Sequence, residues 1–222
     1  MPRMEAQLAA LVMSSLTLSA YADVEREFSI DDFDSVAVSQ GIILNLVMGS
    51  APSVTAVAEK DSDLDSLEIQ VDDGELEIRR GSWVSGLFSM GKSRGSVTVN
   101  VVASELQAVA SSSGANADLI DITCTDLQVD ASSGSRIEVS GSCDTVAIDA
   151  SSGANVDGRD LLTTDAAVEA SSGASIRVFA RESFRGDASS GSSIRVYGNP
   201  EVAESETSSG ASIDLRSHAQ TI

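Results

Sequence analysis

Residues 127–139 read Leu127-Gln128-Val129-Asp130-Ala131-Ser132-Ser133-Gly134-Ser135-Arg136-Ile137-Glu138-Val139. Apolar and polar side chains alternate on both sides of a Ser-Ser-Gly step. Alternation with a period of two marks a strand with one buried and one wet face. Ser and Gly together mark the corner between two such strands. The same step recurs at Gly114, Gly153, Gly173, Gly191 and Gly210, and the six glycines are separated by 20, 19, 20, 18 and 19 residues. A fixed period near 20 belongs to a solenoid in which each repeat is one coil.

The flanks of each corner carry the same pattern. Val146, Ile148 and Ala150 precede Gly153, and Ala166, Val168 and Ala170 precede Gly173. Ile176 and Val178, Ile194 and Val196, and Ile213 and Leu215 follow their corners. No window after residue 22 shows a helical period. Two short strands per coil, with a third short strand or turn to close it, predict an all-β fold. It is a single-stranded parallel β-helix with coils of 18–20 residues, right-handed by the crossover rule. Stacking would put Ala131, Ala150, Ala170, Ala188 and Thr207 in one column. So narrow an interior accounts for an aromatic content of only 4%.

Composition narrows the function. The chain has 222 residues, 34 acidic against 14 basic, and a formal charge of −20. Such a surface repels phosphate backbones and anionic lipid, which excludes nucleic acid as a partner. The single histidine, His218, leaves no material for a histidine-based triad or metal site. Residues 1–22 read as a secretory signal peptide. Arg3 stands before an apolar run from Leu8 to Leu18, and Ala20-Tyr21-Ala22 forms a small-x-small cleavage site. The run is too short for a membrane span. The expected mature chain, residues 23–222, is one β-helix domain in the periplasm, outside the cell or on its surface. Residues 110–216 supply the regular coils, and residues 28–109 supply irregular first coils.

Two cysteines test the coil register. Cys124 lies ten residues before Gly134, and Cys143 lies ten residues before Gly153. Equivalent residues of stacked coils are about 5 Å apart, within reach of a disulfide. An oxidising compartment then predicts a Cys124–Cys143 bridge.

In the N-terminal part, Asp72-Asp73-Gly74 between two alternating segments signals a hairpin. The stretch Phe33-Asp34-Ser35-Val36-Ala37-Val38-Ser39-Gln40-Gly41-Ile42, the Leu67–Ile78 strand–turn–strand and the Ser-Gly-Ala/Ser series together resemble a family of exported bacterial proteins. It is described as putative auto-transporter adhesin, head GIN domain, and the likeness covers about residues 30–216. The resemblance implies a β-helix and carries over no catalytic residue. No series of membrane-barrel strands follows the repeats, so a self-contained autotransporter is not expected.

Three features are candidate sites. Asp130, Asp149, Glu169, Asp187 and Glu206 each stand four residues before a repeat glycine. Stacked, they form a carboxylate column able to recruit a cation, with Ca²⁺ the natural choice, or a ligand. The same column could serve a polysaccharide lyase or hydrolase, which needs paired carboxylates. Evenly sized coils leave no long loops to wall a cleft, however, and this favours a flat binding surface over turnover. The second feature is the segment 79–94, basic and aromatic in an acidic chain. Arg79, Arg80, Trp83, Phe88, Lys92 and Arg94 form either a contact loop or a cap over the end of the helix. The third is the row of corner serines, which no base accompanies. The expected function is an exported, non-enzymatic binding or adhesion module whose partner is a polysaccharide or other cell-surface ligand, with no catalytic residues. The rivals are the polysaccharide-active enzyme and a purely structural envelope protein.

Overall fold

The structure is a computed structural model and describes residues 23–81 and 95–216. The expected signal peptide, His218, Trp83, Phe88, Lys92 and Arg94 lie outside them. The elements, in chain order, are β1 (Val24–Phe28), β2 (Ser35–Val38), β3 (Ile43–Met48), β4 (Ser53–Ala58), the single helical turn α1 (Asp61–Leu64), β5 (Leu67–Asp72), β6 (Glu75–Arg80), β7 (Val97–Ala103) and β8 (Ala108–Ser111). They continue with β9 (Asn116–Ala131), β10 (Arg136–Ala150), β11 (Asn155–Ala170), β12 (Ser175–Phe179), β13 (Ser183–Ala188), β14 (Ser193–Tyr197), β15 (Val202–Thr207) and β16 (Ser212–Leu215). They wind a β-solenoid of about 5 turns.

The expected register holds from coil to coil. β9 pairs in parallel with β10, and β10 with β11. β11 then meets β12 and β13, which pair with β14 and β15 in turn. Ala131, Ala150, Ala170, Ala188 and Thr207 are successive partners. The four alanines are buried and Thr207 is exposed. One continuous apolar core runs from Phe33 to Val196.

Each Ser-Ser-Gly corner is a two-residue turn with both central residues in the left-handed region. Ser133 has φ 53° and Gly134 φ 71°, and the N–H of Ser135 donates to the Ser132 carbonyl at 3.1 Å. The second serine therefore accepts a conformation usually left to Gly or Asn. Gln40 (φ 61°) and Gly41 (φ 71°) make the same corner between β2 and β3, with Ser39 as the first serine and Gln40 in place of the second. The variable fourth position has its own logic. Ala115, Ala154 and Ala174 are buried there, and where serine replaces alanine the hydroxyl is spent inside: Ser135 Oγ donates to the Ser111 carbonyl at 2.8 Å, and Ser192 Oγ to the Ala170 carbonyl at 2.9 Å.

The N-terminal part differs from a plain series of first coils. β6 and β7 stack beneath β2 and β3, although they follow them in the chain, and β8 and β9 stack above. Beyond β6 and β7 the pairing turns antiparallel: β5 covers β6, and β4 covers β7 with β1 outside it. The Asp73-Gly74 hairpin joins β5 to β6, with φ values of 49° and 84°. Antiparallel strands thus form this end of the stack, and its edges are the short strands β1 and β5, which carry charged side chains.

Cys124 and Cys143 are direct strand partners, with Cα atoms 4.6 Å apart, and they form the expected disulfide. It closes a loop with a sequence separation of 19. Chain entropy for a loop of that size corresponds to ~3 kcal/mol. Cys124→Ser/Cys143→Ser is expected to lose about that much in urea unfolding, with an m-value no smaller than the wild type's because the unfolded chain is less restrained. A loss below ~1 kcal/mol would mean that the stacked coils restrain the unfolded chain without the bridge.

Candidate functional site

The carboxylate column lies on the outward face of the strands that lead into the corners. Inward residues such as Val146, Ile148 and Ala150 anchor that face, so the alternating side chains Thr145, Ala147 and Asp149 must point out. Strand pairing makes Asp130, Asp149, Glu169, Asp187 and Glu206 successive partners. At the strand spacing this is one carboxylate about every 4.8 Å. All five expected residues are therefore brought into one line. In the coils below, the same phase is held by Ala110, Ala37 and Glu77, so the line breaks at two alanines.

The column is one wall of a trough. Its floor is the neighbouring outward phase: Ala108, Gln128, Ala147 and Ala167, ended by Arg185 and Glu204. The far wall is Asp126, Thr145, Asp165 and Ser183. Hydroxyl–carboxylate bonds hold this wall in place: Thr145 Oγ1 donates to Asp126 at 2.5 Å, and Ser183 Oγ to Asp165 at 2.6 Å. On the column side, Gln128 Nε2 donates to Asp130 at 3.0 Å. The section from Gln128 to Glu206 encloses about 410 Å³ and is shallow. Among the described residues no three His, Cys, Asp or Glu side chains gather closely enough to hold a metal ion. The column is a ladder rather than a cage.

The sequence named one wall and missed the rest. The alanine floor was hidden because Ala147 and Ala167 look like core residues in a hydrophobic pattern, yet strand alternation turns them outward. The far wall was hidden because Asp126, Thr145, Asp165 and Ser183 differ in type, although they share a phase.

A second polar ladder runs along another face: Asn100, Asn45, Asp118, Glu138, Asp157, Arg177, Arg195 and Asp214. Its amide end is tied by Asn45 Nδ2 to Asn100 Oδ1 at 2.9 Å. Asp157 is buried beneath Arg159 and Arg177, at 2.8 and 3.2 Å. This side is self-neutralising, whereas the trough face has acids on both walls.

The segment 79–94 enters the described residues only at its base. Arg79 pairs with Glu68 at 3.1 Å and lies near Glu77. Arg80 departs from the expected contact role: it is buried, and its Nη2 donates to the Gly95 carbonyl at 2.7 Å. The Gly95 N–H donates to Asp63 at 3.2 Å, and the Gly81 N–H to the Ser66 carbonyl at 2.6 Å. Arg80 and Asp63 thus both hold Gly95 before β7, and the Ser66 carbonyl holds Gly81 after β6.

Residues 32–200 match the family described as putative auto-transporter adhesin, head GIN domain. Among solved structures, a putative adhesin from Bacteroides fragilis has the same fold at 11% identity, with a TM-score of 0.68 over 88% of this chain and 97% of that one. A putative lipid binding protein from Parabacteroides distasonis is 17% identical, with a TM-score of 0.49 over 87% and 96%. A putative adhesin from Parabacteroides merdae is 14% identical, with a TM-score of 0.48 over 87% and 96%. No curated protein matches the chain.

Proposed function

We propose that this chain, which belongs to the putative auto-transporter adhesin, head GIN domain family, is a non-enzymatic binding module of the bacterial envelope or surface that lays an extended polysaccharide along the acidic trough. The observation that carries the reading is the register of the column, five carboxylates on five adjacent strands beside a floor whose centre is the methyl groups of Ala147 and Ala167. A repeat near 4.8 Å suits a polymer with a repeating charge. The flat floor offers apolar contact to sugar rings and little enclosure for a small molecule, whose sites are deep clefts. The family name favours an exported or surface location, and among the described residues no helix is long and apolar enough to cross a membrane.

Charge decides how the polymer is held. An amine-bearing polysaccharide would pair with the column directly. An acidic one would need Ca²⁺, which takes six to eight oxygens. The column alone does not gather them, so the polymer would have to complete the shell.

The test is binding of the purified protein to a panel of amine-bearing and uronate-rich polysaccharides, with Ca²⁺ and then with EDTA, while the supernatant is assayed for released sugar. Saturable binding without release is expected. Loss in EDTA would assign the bridged mode, and loss in salt alone the direct one. Asp149→Asn/Glu169→Gln removes two charged partners from the centre of the column. At about 1.5 kcal/mol or more for each charge-assisted bond, it should weaken binding at least tenfold with the fold intact. Released sugar would make the column catalytic, and full affinity in the double variant would move the ligand off this face.

A further inference from the structure

The two ends of the solenoid are unlike. The first end is made of the antiparallel strands β1, β4 and β5, with the half-buried β1 and β5 as its edges. At the other end, among the described residues, β15 pairs only with β13 and β16 only with β14, so each has one edge that no described strand covers. All six residues of β15 are exposed. Ala203, Ser205 and Thr207 hold the inward phase above the buried Phe184, Gly186 and Ala188, yet nothing among the described residues covers them. Val202 and Leu215 are 55% and 51% exposed. Glu201, Glu204, Glu206 and Asp214 surround this end; Arg185 lies 3.9 Å from Glu204 and Arg216 2.6 Å from Asp214, which leaves Glu201 and Glu206 as acids in excess.

The chemistry that complements it occurs once in the chain. Residues 82–94, Ser82-Trp83-Val84-Ser85-Gly86-Leu87-Phe88-Ser89-Met90-Gly91-Lys92-Ser93-Arg94, contain two cations, no acid, and four large apolar side chains in Trp83, Leu87, Phe88 and Met90. Their anchors, Gly81 and Gly95, are held after β6 and before β7. The stack from β6 to β15 runs through β2, β8, β9, β10, β11 and β13, seven strand steps. Seven steps are about 34 Å. A 13-residue segment held at both ends reaches no more than about 25 Å from its anchors. It cannot touch the open end of its own molecule.

We propose that the protein assembles head to tail: residues 82–94 of one copy dock on the open, acidic last coil of another. Lys92 and Arg94 meet Glu201, Glu204 and Glu206, and the aromatic side chains cover the exposed inward phase of β15. The contact joins two different surfaces, so it does not close on a two-fold axis, and repetition gives a linear array. Trough faces would then follow one another along the array, and many weak contacts to one polymer would add.

Sedimentation velocity of the full-length protein over a range of concentrations tests this. The wild type is expected to form dimers and longer species as concentration rises. Lys92→Glu/Arg94→Glu and Glu204→Lys/Glu206→Lys should each be monomeric alone, and an equimolar mixture of the two should associate again, because the reversed charges match. Circular dichroism of each variant checks that it is folded. A wild type that stays monomeric up to millimolar concentration overturns the proposal, as does association that neither charge reversal weakens. Association that appears only after residues 217–222 are deleted also overturns it, since the chain's own terminus would then be what covers the last coil.

Discussion

Replacing Gly141 with alanine is expected to destabilise the protein by at least ~4 kcal/mol, at the far end of what one substitution does. Gly141 follows the Ser140 bend in β10, where the register with β9 shifts between Val139 and Gly141. Its φ is 127°, a conformation that side chains rarely adopt. A Cβ there would lie 2.1 Å from the Ile122 carbonyl oxygen and 2.5 Å from the Ile122 nitrogen. Both atoms belong to the backbone of the coil below, so no rotamer change relieves the overlap. The coils would have to separate, next to the Cys124–Cys143 bridge that holds them together.

Gly134→Ala is the control. Gly134 also has positive φ, 71°, but a Cβ there meets nothing within 4 Å. Its cost is the left-handed conformation alone, about 1–2 kcal/mol. Chemical denaturation of the two variants separates the effects. Equal losses would show that backbone angle, rather than contact between coils, makes glycine necessary at residue 141.

These two glycines mark what the sequence could and could not disclose. Gly134 announces itself because the Ser-Ser-Gly step recurs at a fixed period. Gly141 does not, because its stacked partners are Ile122 and Leu161. The coil turns there by a local bulge, and a bulge leaves no periodic trace. The order of the first coils was hidden for a related reason. Alternation shows that residues 53–58 and 97–103 are strands, but whether neighbours run parallel or antiparallel depends on where the connections go. The carboxylate column was legible because identical spacing from a repeat glycine is a statement about stacking. The alanine floor beside it was not, since a methyl group looks the same in a core and at the bottom of a trough.

The interior of the coil at β13 makes the other large prediction. Phe184 is the largest fully buried side chain among the described residues. It occupies the phase held by Leu127, Val146 and Ala166 in earlier coils, and two residues on Gly186 replaces Val129, Ile148 and Val168. A Cβ on Gly186 would lie 2.4 Å from Phe184 Cζ and 3.4 Å from Ile213 Cδ1. The ring therefore lies over the glycine, and the volume the coil gains at one position it gives up at the next, as close packing requires. Phe184→Ala should cost ~3–5 kcal/mol, since it removes a ring from a core that collapses only partly. Gly186→Ala should also destabilise, because the ring must shift from its packed position to admit the methyl. Combined, the two should cost less than the sum, since the new methyl occupies space the ring has vacated. A coupling of about 1 kcal/mol or more is expected between side chains in such contact. Additive losses in equilibrium unfolding would show that ring and glycine do not share one space, and that the swap of Phe for a small residue is accommodated elsewhere in the coil.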